Sequence, residues 1–346
     1  MRAKRERKNR LMYSIVYALT SNRNDHYYNQ MLVSILSLRK YMKEQPIIIL
    51  VDEKTYETLN GERAEIYDYA EVVKVDTPNQ YSNIEKSRFI KTSARKFIEG
   101  DYLFVDTDTL FCQDISIYID FSAEFAFVED THLSLIKKET MDLKKLKKTF
   151  STLGYNFYLE KKYYNSGVYW AKDTIGTRNF FEKWHNEWKR CQKKGVLVDQ
   201  PSLNYVNREI GGFISELNPC LNTQISGVTG GFKYLFNVGI LHYFNGEGIV
   251  SLSNKEMINK IQRDREQILD IIANPSLCIK DGIFISRGSV KFEFMSSETF
   301  RLVLGLFCKS KSLFSLINFF SKFIMAILRK ANNREMVYTR NIFGED

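Results

Sequence analysis

The chain predicts an α/β protein: a mostly parallel sheet with helices on both faces, followed by a basic, amphipathic helical extension. Three observations carry this expectation. Short apolar runs alternate with segments of helical spacing from residue 13 to residue 105. The runs are apolar at consecutive positions, as strands covered on both faces must be. The basic charge is concentrated at the two ends of the chain, outside the alternating region.

Each element follows in order. Tyr13 to Leu19 (YSIVYAL) reads as the first strand, and Tyr28 to Met42 shows helical spacing through Met31, Leu32, Ile35, Leu36 and Leu38. Ile47 to Val51 (IIILV) and Glu71 to Val75 read as strands, Ser87 to Ile98 as a helix, and Tyr102 to Val105 (YLFV) as a fourth strand. Such a βαβ series places ligands beyond the carboxyl ends of its strands. Lys144, Lys145, Lys147 and Lys148 read as the solvated face of a helix after Asp142. The predicted organisation is a basic arm over 1–12, an α/β domain over 13–253 and an extension with amphipathic helices over 254–346.

Composition excludes several classes. With 346 residues, 44% hydrophobic and 26% charged, the chain buries a sizeable core. Five cysteines without a close pair offer neither a disulfide framework nor a C-x-x-C metal motif, which points to a reducing cytoplasm. The two ends carry +5 and +7 of the net +9, so the remainder sums to −3. A nucleic-acid enzyme needs its basic groove in the folded body, so basic ends argue against DNA or RNA and for an anionic surface. No secretory signal is expected after Met1 to Arg10.

Leu313 to Leu328 is apolar at twelve of sixteen positions. At ~1.5 Å per residue it reaches ~24 Å, short of a ~30 Å hydrocarbon core. Ser315, Asn318, Ser321 and Lys322 form one narrow polar stripe, and Lys309, Lys311, Arg329, Lys330 and Arg334 flank it. The pattern fits a helix lying in a membrane interface, or one docked on the protein's own core. The membrane reading places the protein peripherally on the cytoplasmic face.

Charge then appears where it is costly. Asp106-Thr107-Asp108 follows the YLFV strand, so two carboxylates project from the sheet's carboxyl edge. Like carboxylates raise each other's pKa unless a cation neutralises them, and oxygen ligands select a hard divalent ion. Taken alone, the tripeptide is equally an Asp-rich turn. Three further segments follow: Tyr163-Tyr164-Asn165-Ser166-Gly167-Val168, Asp199-Gln200-Pro201-Ser202-Leu203-Asn204, and Ile240-Leu241-His242-Tyr243-Phe244.

With Ala18-Leu19-Thr20-Ser21-Asn22 after the first strand, these segments in this order resemble glycosyltransferase family 8, the retaining group that includes glycogenin and bacterial lipopolysaccharide galactosyltransferases. The resemblance covers about residues 13 to 246. It implies a GT-A fold, a nucleotide-sugar donor (usually a UDP-sugar), and Mn²⁺ or Mg²⁺ held by Asp106, Asp108 and His242. Two carboxylates and a neutral imidazole suit Mn²⁺ chemically. By itself His242 is also an ordinary buried histidine at a strand end.

The resemblance further implies that Leu19, Ser21 and Asn22 surround the base and ribose, with Tyr27 or Tyr28 stacking on the base. It implies that Lys91, or Arg88 in its place, and Thr107 lie near the sugar and diphosphate. Asn165, Asp199, Gln200 and Asp130 match positions around the donor sugar. Other readings stay open: Lys91 and Arg88 as solvated helix charges, Asp199 as a helix N-cap, Asn165 as a turn residue. Asn245-Gly246-Glu247-Gly248 stands where the family often has a Lys-Pro-Trp arrangement, and Lys233 after Thr229-Gly230-Gly231 is a candidate replacement. The implied reaction moves a hexose to a glycan or lipid-linked glycan. The alternatives are a catalytically silent membrane-surface scaffold of the same fold and a haloacid-dehalogenase-type phosphatase with Asp106 as nucleophile.

Overall fold

A computed structural model describes residues 13–130, 141–157, 162–224 and 239–242, together with helical positions between 312 and 324. The basic arm, the 253/254 boundary, Thr229 to Lys233 and Asn245 to Gly248 lie outside these residues. The central sheet is a mixed, mostly parallel one, in the order β3-β2-β1-β4-β7-β6-β8. Its strands are β1 (Tyr13–Leu19), β2 (Ile47–Val51), β3 (Glu71–Lys74), β4 (Asp101–Val105), β6 (Phe125–Glu129), β7 (Tyr164–Ala171) and β8 (Ser215–Glu216). β1, β2, β3 and β4 are mutually parallel, and β7 runs antiparallel between β4 and β6. The expected α/β architecture is the observed one.

Period-two alternation sends each strand's side chains to two different cores. Ile15, Tyr17, Leu19, Ile49, Val51, Leu103 and Val105 meet α1 (Tyr27–Tyr41) on one face. Val16, Leu50, Phe104, Phe125, Phe127 and Tyr169 meet the other, which is covered by α3 (Asn83–Ser93), α5 (Ile175–Lys193) and α6 (Gln200–Glu209). Both sets are apolar because the sheet has no wet face. Two shorter helices complete the set: α2 (Glu53–Thr58) after β2, and α4 (Met141–Leu153), on which Lys144, Lys145 and Lys148 are exposed as expected while Lys147 is half-buried.

One expected helix is shifted. The segment expected to begin at Ser87 starts at Asn83, because Ser82 and Glu85 form a reciprocal capping box that satisfies the first backbone amides. It ends at Ser93 and continues only as a 3-10 turn over Ala94–Lys96.

A second, three-stranded sheet sits at the carboxyl edge. It joins β5 (Thr109–Phe111), β9 (Thr223–Gln224) and β10 (Ile240–His242), with β10 in the middle. Its register sets His242 opposite Thr109 and Gln224. The two segments of the expected metal set, Asp106 to Asp108 and His242, thus become neighbours through backbone pairing.

Behind the first loop, buried Lys86 and Asp52 form an ion pair of 2.8 Å, with side chains 3% and 2% exposed. Asp52 also caps α2, and the Thr55 hydroxyl accepts from Ser21 N at 2.8 Å. Removing one partner strands a buried charge, at a cost of about 3–5 kcal/mol. Lys86→Met is therefore expected to lower unfolding free energy by about that amount. Urea denaturation checks it, and a loss under about 1 kcal/mol, as for an exposed pair, would contradict the role given to this pair.

Candidate active site

The carboxyl ends of β1, β4 and β6 and the amino end of β7 open on one edge, because β7 is antiparallel to both of its neighbours. Among the described residues, the acidic and amide positions singled out in the sequence reach that edge. Asp106 follows β4, Asp130 follows β6, Asn165 lies at the start of β7, and Asp199 immediately precedes α6. The β6 and β7 registers slip between Phe127 and Glu129, so β7 bends where Asn165 to Gly167 pass the edge.

Asp106, Asp108 and His242 each turn one ligand atom to a common point, all within 4.8 Å of one another. His242 Nε2 stands 3.3 Å from Asp108 Oδ1. Two hard carboxylates and one borderline imidazole nitrogen form a donor set that a divalent ion of the Mn²⁺ kind fits, and Mg²⁺ less closely. Thr107 lies half-buried between the two aspartates.

Lys91 is no solvated helix charge. Its ammonium is 2% exposed, donates to Asp106 Oδ1 and Oδ2 at 2.8 and 3.0 Å, and lies 3.7 Å from Asp199 Oδ2. Arg88 Nε stands 3.2 Å from Asp199 Oδ1 with its side chain about a third exposed, so it too serves the site. Burial works to raise Asp199, yet Lys91 and Arg88 outweigh it and hold the carboxyl below its ordinary range. Burial dominates at Asp106, where Lys91 offsets it only in part and Asp108 adds to it, leaving that carboxyl above its ordinary range.

The N-cap reading of Asp199 does not hold. It occupies the N-cap position of α6, but its side chain makes no capping bond, since Arg88 and Lys91 draw it away. Its backbone is held instead, with Trp184 Nε1 and the Ser202 hydroxyl both donating to the Asp199 carbonyl. Asn204 clamps α6 onto β7 by accepting from Tyr164 N at 2.7 Å and donating to Tyr164 O at 2.9 Å. Gln200 Nε2 donates to Asp130 Oδ2 at 2.7 Å, and Asn165 Nδ2 lies 3.4 Å from both Asp130 Oδ2 and Gln200 Oε1. Asn165 is a strand residue, not a turn.

The first loop is built differently from expectation. Leu19 is a core side chain and faces the edge only through its backbone. Ser21 is buried and donates to Asp25 Oδ1, while Asn22 is exposed. Tyr28 is 3% exposed, with the Arg63 guanidinium over its ring at 4.6 Å, so its face is already covered. Tyr27 is the partly exposed aromatic of the two.

Four residues were missed. Arg63 donates to Asn22 O at 2.8 Å and holds the loop. Tyr163 lies among Asp130, Asp199 and Gln200, and burial, reinforced by the two carboxylates, keeps its phenol protonated. Asn222 and Gly167 touch His242. Tyr163 and Gly167 sat inside a quoted motif; Arg63 and Asn222 stand in stretches with neither periodicity nor paired chemistry.

The profile of the nucleotide-diphospho-sugar transferases matches residues 42–315, and the chain belongs to that family. It is thereby a nucleotide-sugar glycosyltransferase with a nucleotide-sugar donor and a glycan acceptor, and the phosphatase alternative falls away. Among solved structures, mouse xyloside xylosyltransferase 1 in its apo form aligns at 12% identity over 67% of this chain and 98% of that one, with a TM-score of 0.46. The glycosyltransferase GlyE of Streptococcus pneumoniae TIGR4 aligns at 14% identity over 75% of this chain and 63% of that one, with a TM-score of 0.43. No curated protein matches.

The shared cation generates a prediction. Lys91→Met leaves Asp106 and Asp199 without their common partner, so both favour the protonated form. An acid whose folded pKa lies above its unfolded one stabilises the fold at low pH and loses that contribution as pH rises. In metal-free protein the loss is expected to be about 3–5 kcal/mol at pH 8 and smaller at pH 5. Urea unfolding with EDTA at both pH values measures it, and equal losses would contradict a charge-based role for Lys91.

Proposed function

We propose that this chain is a retaining, Mn²⁺-dependent hexosyltransferase related to glycosyltransferase family 8. On this reading it uses a UDP-sugar and acts on a glycan or lipid-linked glycan. The observation that carries the reading is the convergence of Asp106, Asp108 and His242 with Asn165, Asp199, Gln200 and Asp130 on one sheet edge. A metal ion at the triad would neutralise the departing nucleotide diphosphate.

The chain's own residues do the rest. Lys91 holds the Asp106 carboxylate in place, and Arg88 and Lys91 together keep Asp199 ionised beside the sugar. Asp130 accepts from Gln200 and fixes its amide, so Gln200 presents a defined oxygen and nitrogen to the reacting region. Retention of configuration follows either from a covalent nucleophile on the enzyme or from attack on the same face as the leaving phosphate. On this reading Asp199 and Gln200 serve either route.

UDP release from a panel of UDP-sugars, with and without Mn²⁺, tests the reading. Asp106→Asn and Asp108→Asn are expected to lower turnover at least a hundredfold while remaining folded. Gln200→Ala is expected to lower kcat more than donor affinity. Absence of metal-stimulated UDP release with every donor would favour a catalytically silent scaffold.

We also propose that the protein works at an anionic membrane surface. Among the described residues no helix is long and apolar enough to cross a membrane. The helical positions between 312 and 324 leave Leu313, Leu316, Phe319, Phe320, Phe323 and Ile324 between 50% and 66% exposed. Their spacing of three and four puts them on one face, which supports interfacial rather than core burial. Full-length protein is expected to float with anionic liposomes, with salt releasing only part of it. Replacing Phe319, Phe320 and Phe323 by Ser is expected to abolish flotation. If the intact protein fails to float, the membrane reading falls.

A further inference from the structure

His242 is seated by two residues that carry no chemistry of their own, and a single backbone amide fixes the proton on its ring. Gly167 N, which can only donate, bonds Asn165 Oδ1 at 2.8 Å. That contact identifies the Asn165 atom as the carbonyl oxygen. Asn222 approaches the same oxygen at 2.9 Å, which only its amide nitrogen can do. The opposite end of the Asn222 amide is then its carbonyl oxygen, and it stands 3.0 Å from His242 Nδ1. A carbonyl accepts only, so Nδ1 carries the hydrogen. In the neutral ring Nε2 is left with a bare lone pair, and Nε2 is the nitrogen facing Asp108.

The ring also needs room. A Cβ on Gly167 would stand 2.3 Å from His242 Cε1 and 2.8 Å from Nδ1, distances that no side chain tolerates. Glycine at 167 therefore lets the imidazole lie close against β7. Asn165, Asn222 and His242 are 4%, 1% and 3% exposed, so water does not compete for these bonds. At its far end Asn165 Nδ2 reaches Asp130 and Gln200.

We propose that Asn222 is a positioning residue that acts through His242. It fixes the tautomer that turns Nε2 toward a metal ion, and its link to Asn165 ties the metal triad to the Asp130 and Gln200 cluster on the sugar side. Gly167 supplies both the amide that orients the relay and the space for the ring. The inference rests on the metal reading of Asp106, Asp108 and His242. Outer partners of ligating histidines commonly contribute 10–100-fold in metal affinity.

Two readouts besides turnover test it on the full-length protein. The first is Mn²⁺ affinity, from the electron paramagnetic resonance signal of free Mn²⁺. The second is the His242 tautomer, from long-range ¹H–¹⁵N spectra of metal-free protein at alkaline pH, assigned with His242→Ala. The wild-type ring is expected as the Nδ1–H tautomer. Asn222→Leu is expected to weaken Mn²⁺ binding 10–100-fold and to lose the single tautomer. Asn222→Asp, which still offers Nδ1–H an acceptor but cannot donate to Asn165, is expected to recover the tautomer. Gly167→Ala is expected to weaken Mn²⁺ as Asn222→Leu does, and it decides the matter if the leucine variant does not fold. An Nε2–H tautomer in the wild type, or a folded Asn222→Leu with unchanged Mn²⁺ affinity, overturns the proposal. Asp108→Asn separates the two levels. If it leaves Mn²⁺ binding intact, the metal reading itself fails; if it weakens binding while Asn222→Leu does not, only the role of Asn222 fails.

Discussion

The buried ammonium of Lys91, shared between Asp106 and Asp199, is the interaction on which the site depends. Carboxylates at the rim of a core lose solvation, and without a fixed cation they either protonate or push apart. Lys91 reaches them from α3, whose start is set by the capping box at Ser82 and Glu85, while its own ammonium lies 5.2 Å from the Phe104 ring centroid. One helix phase thus holds two loops that are ninety residues apart in the chain. The same phase sends Lys86 to Asp52 beneath the first loop. A rotation of α3 would unpair both lysines, so its register is held by charge as much as by Ile90 and Ala94 in the core.

Much of this was legible in the sequence, and the reason is burial. Strands covered on both faces leave unbroken apolar runs, so Tyr13–Leu19 and Ile47–Val51 were read with their true bounds. Charges at the end of such a run stand out for the same reason, which is why Asp106 and Asp108 announced themselves. What stayed hidden depends on contacts rather than patterns. A buried lysine and a solvated one look alike in a helix, and only the partners of Lys91 and Arg88 tell them apart. Asp199 precedes a helix as an N-cap would, and its true role appears only when its side chain is seen turned toward two cations. The choice between Tyr27 and Tyr28 as the stacking ring is invisible in sequence, because Arg63, thirty-five residues beyond Tyr28, covers that ring. Asn222 is a polar residue in a short irregular stretch, and nothing in sequence separates it from a turn.

Charge balance explains why Asp106, Asp108 and His242 are joined to the Asp130 and Gln200 cluster by amides. Asp106, Asp108, Asp130 and Asp199 place four formal negative charges at the edge, against the two positive charges of Lys91 and Arg88. On the proposed metal reading, a divalent ion would bring this set to neutrality, and an anionic donor would meet that ion rather than bare carboxylates. Any further charged residue linking His242 to Gln200 would disturb the balance or require its own buried partner. Asn222 and Asn165 carry orientation across the gap without charge, because an amide donates at one end and accepts at the other. Their direction is set by the Gly167 backbone, which cannot reverse. The polarity of the site is therefore anchored in the main chain of β7, the strand that meets both β4, which delivers the carboxylates, and β6, which delivers Asp130.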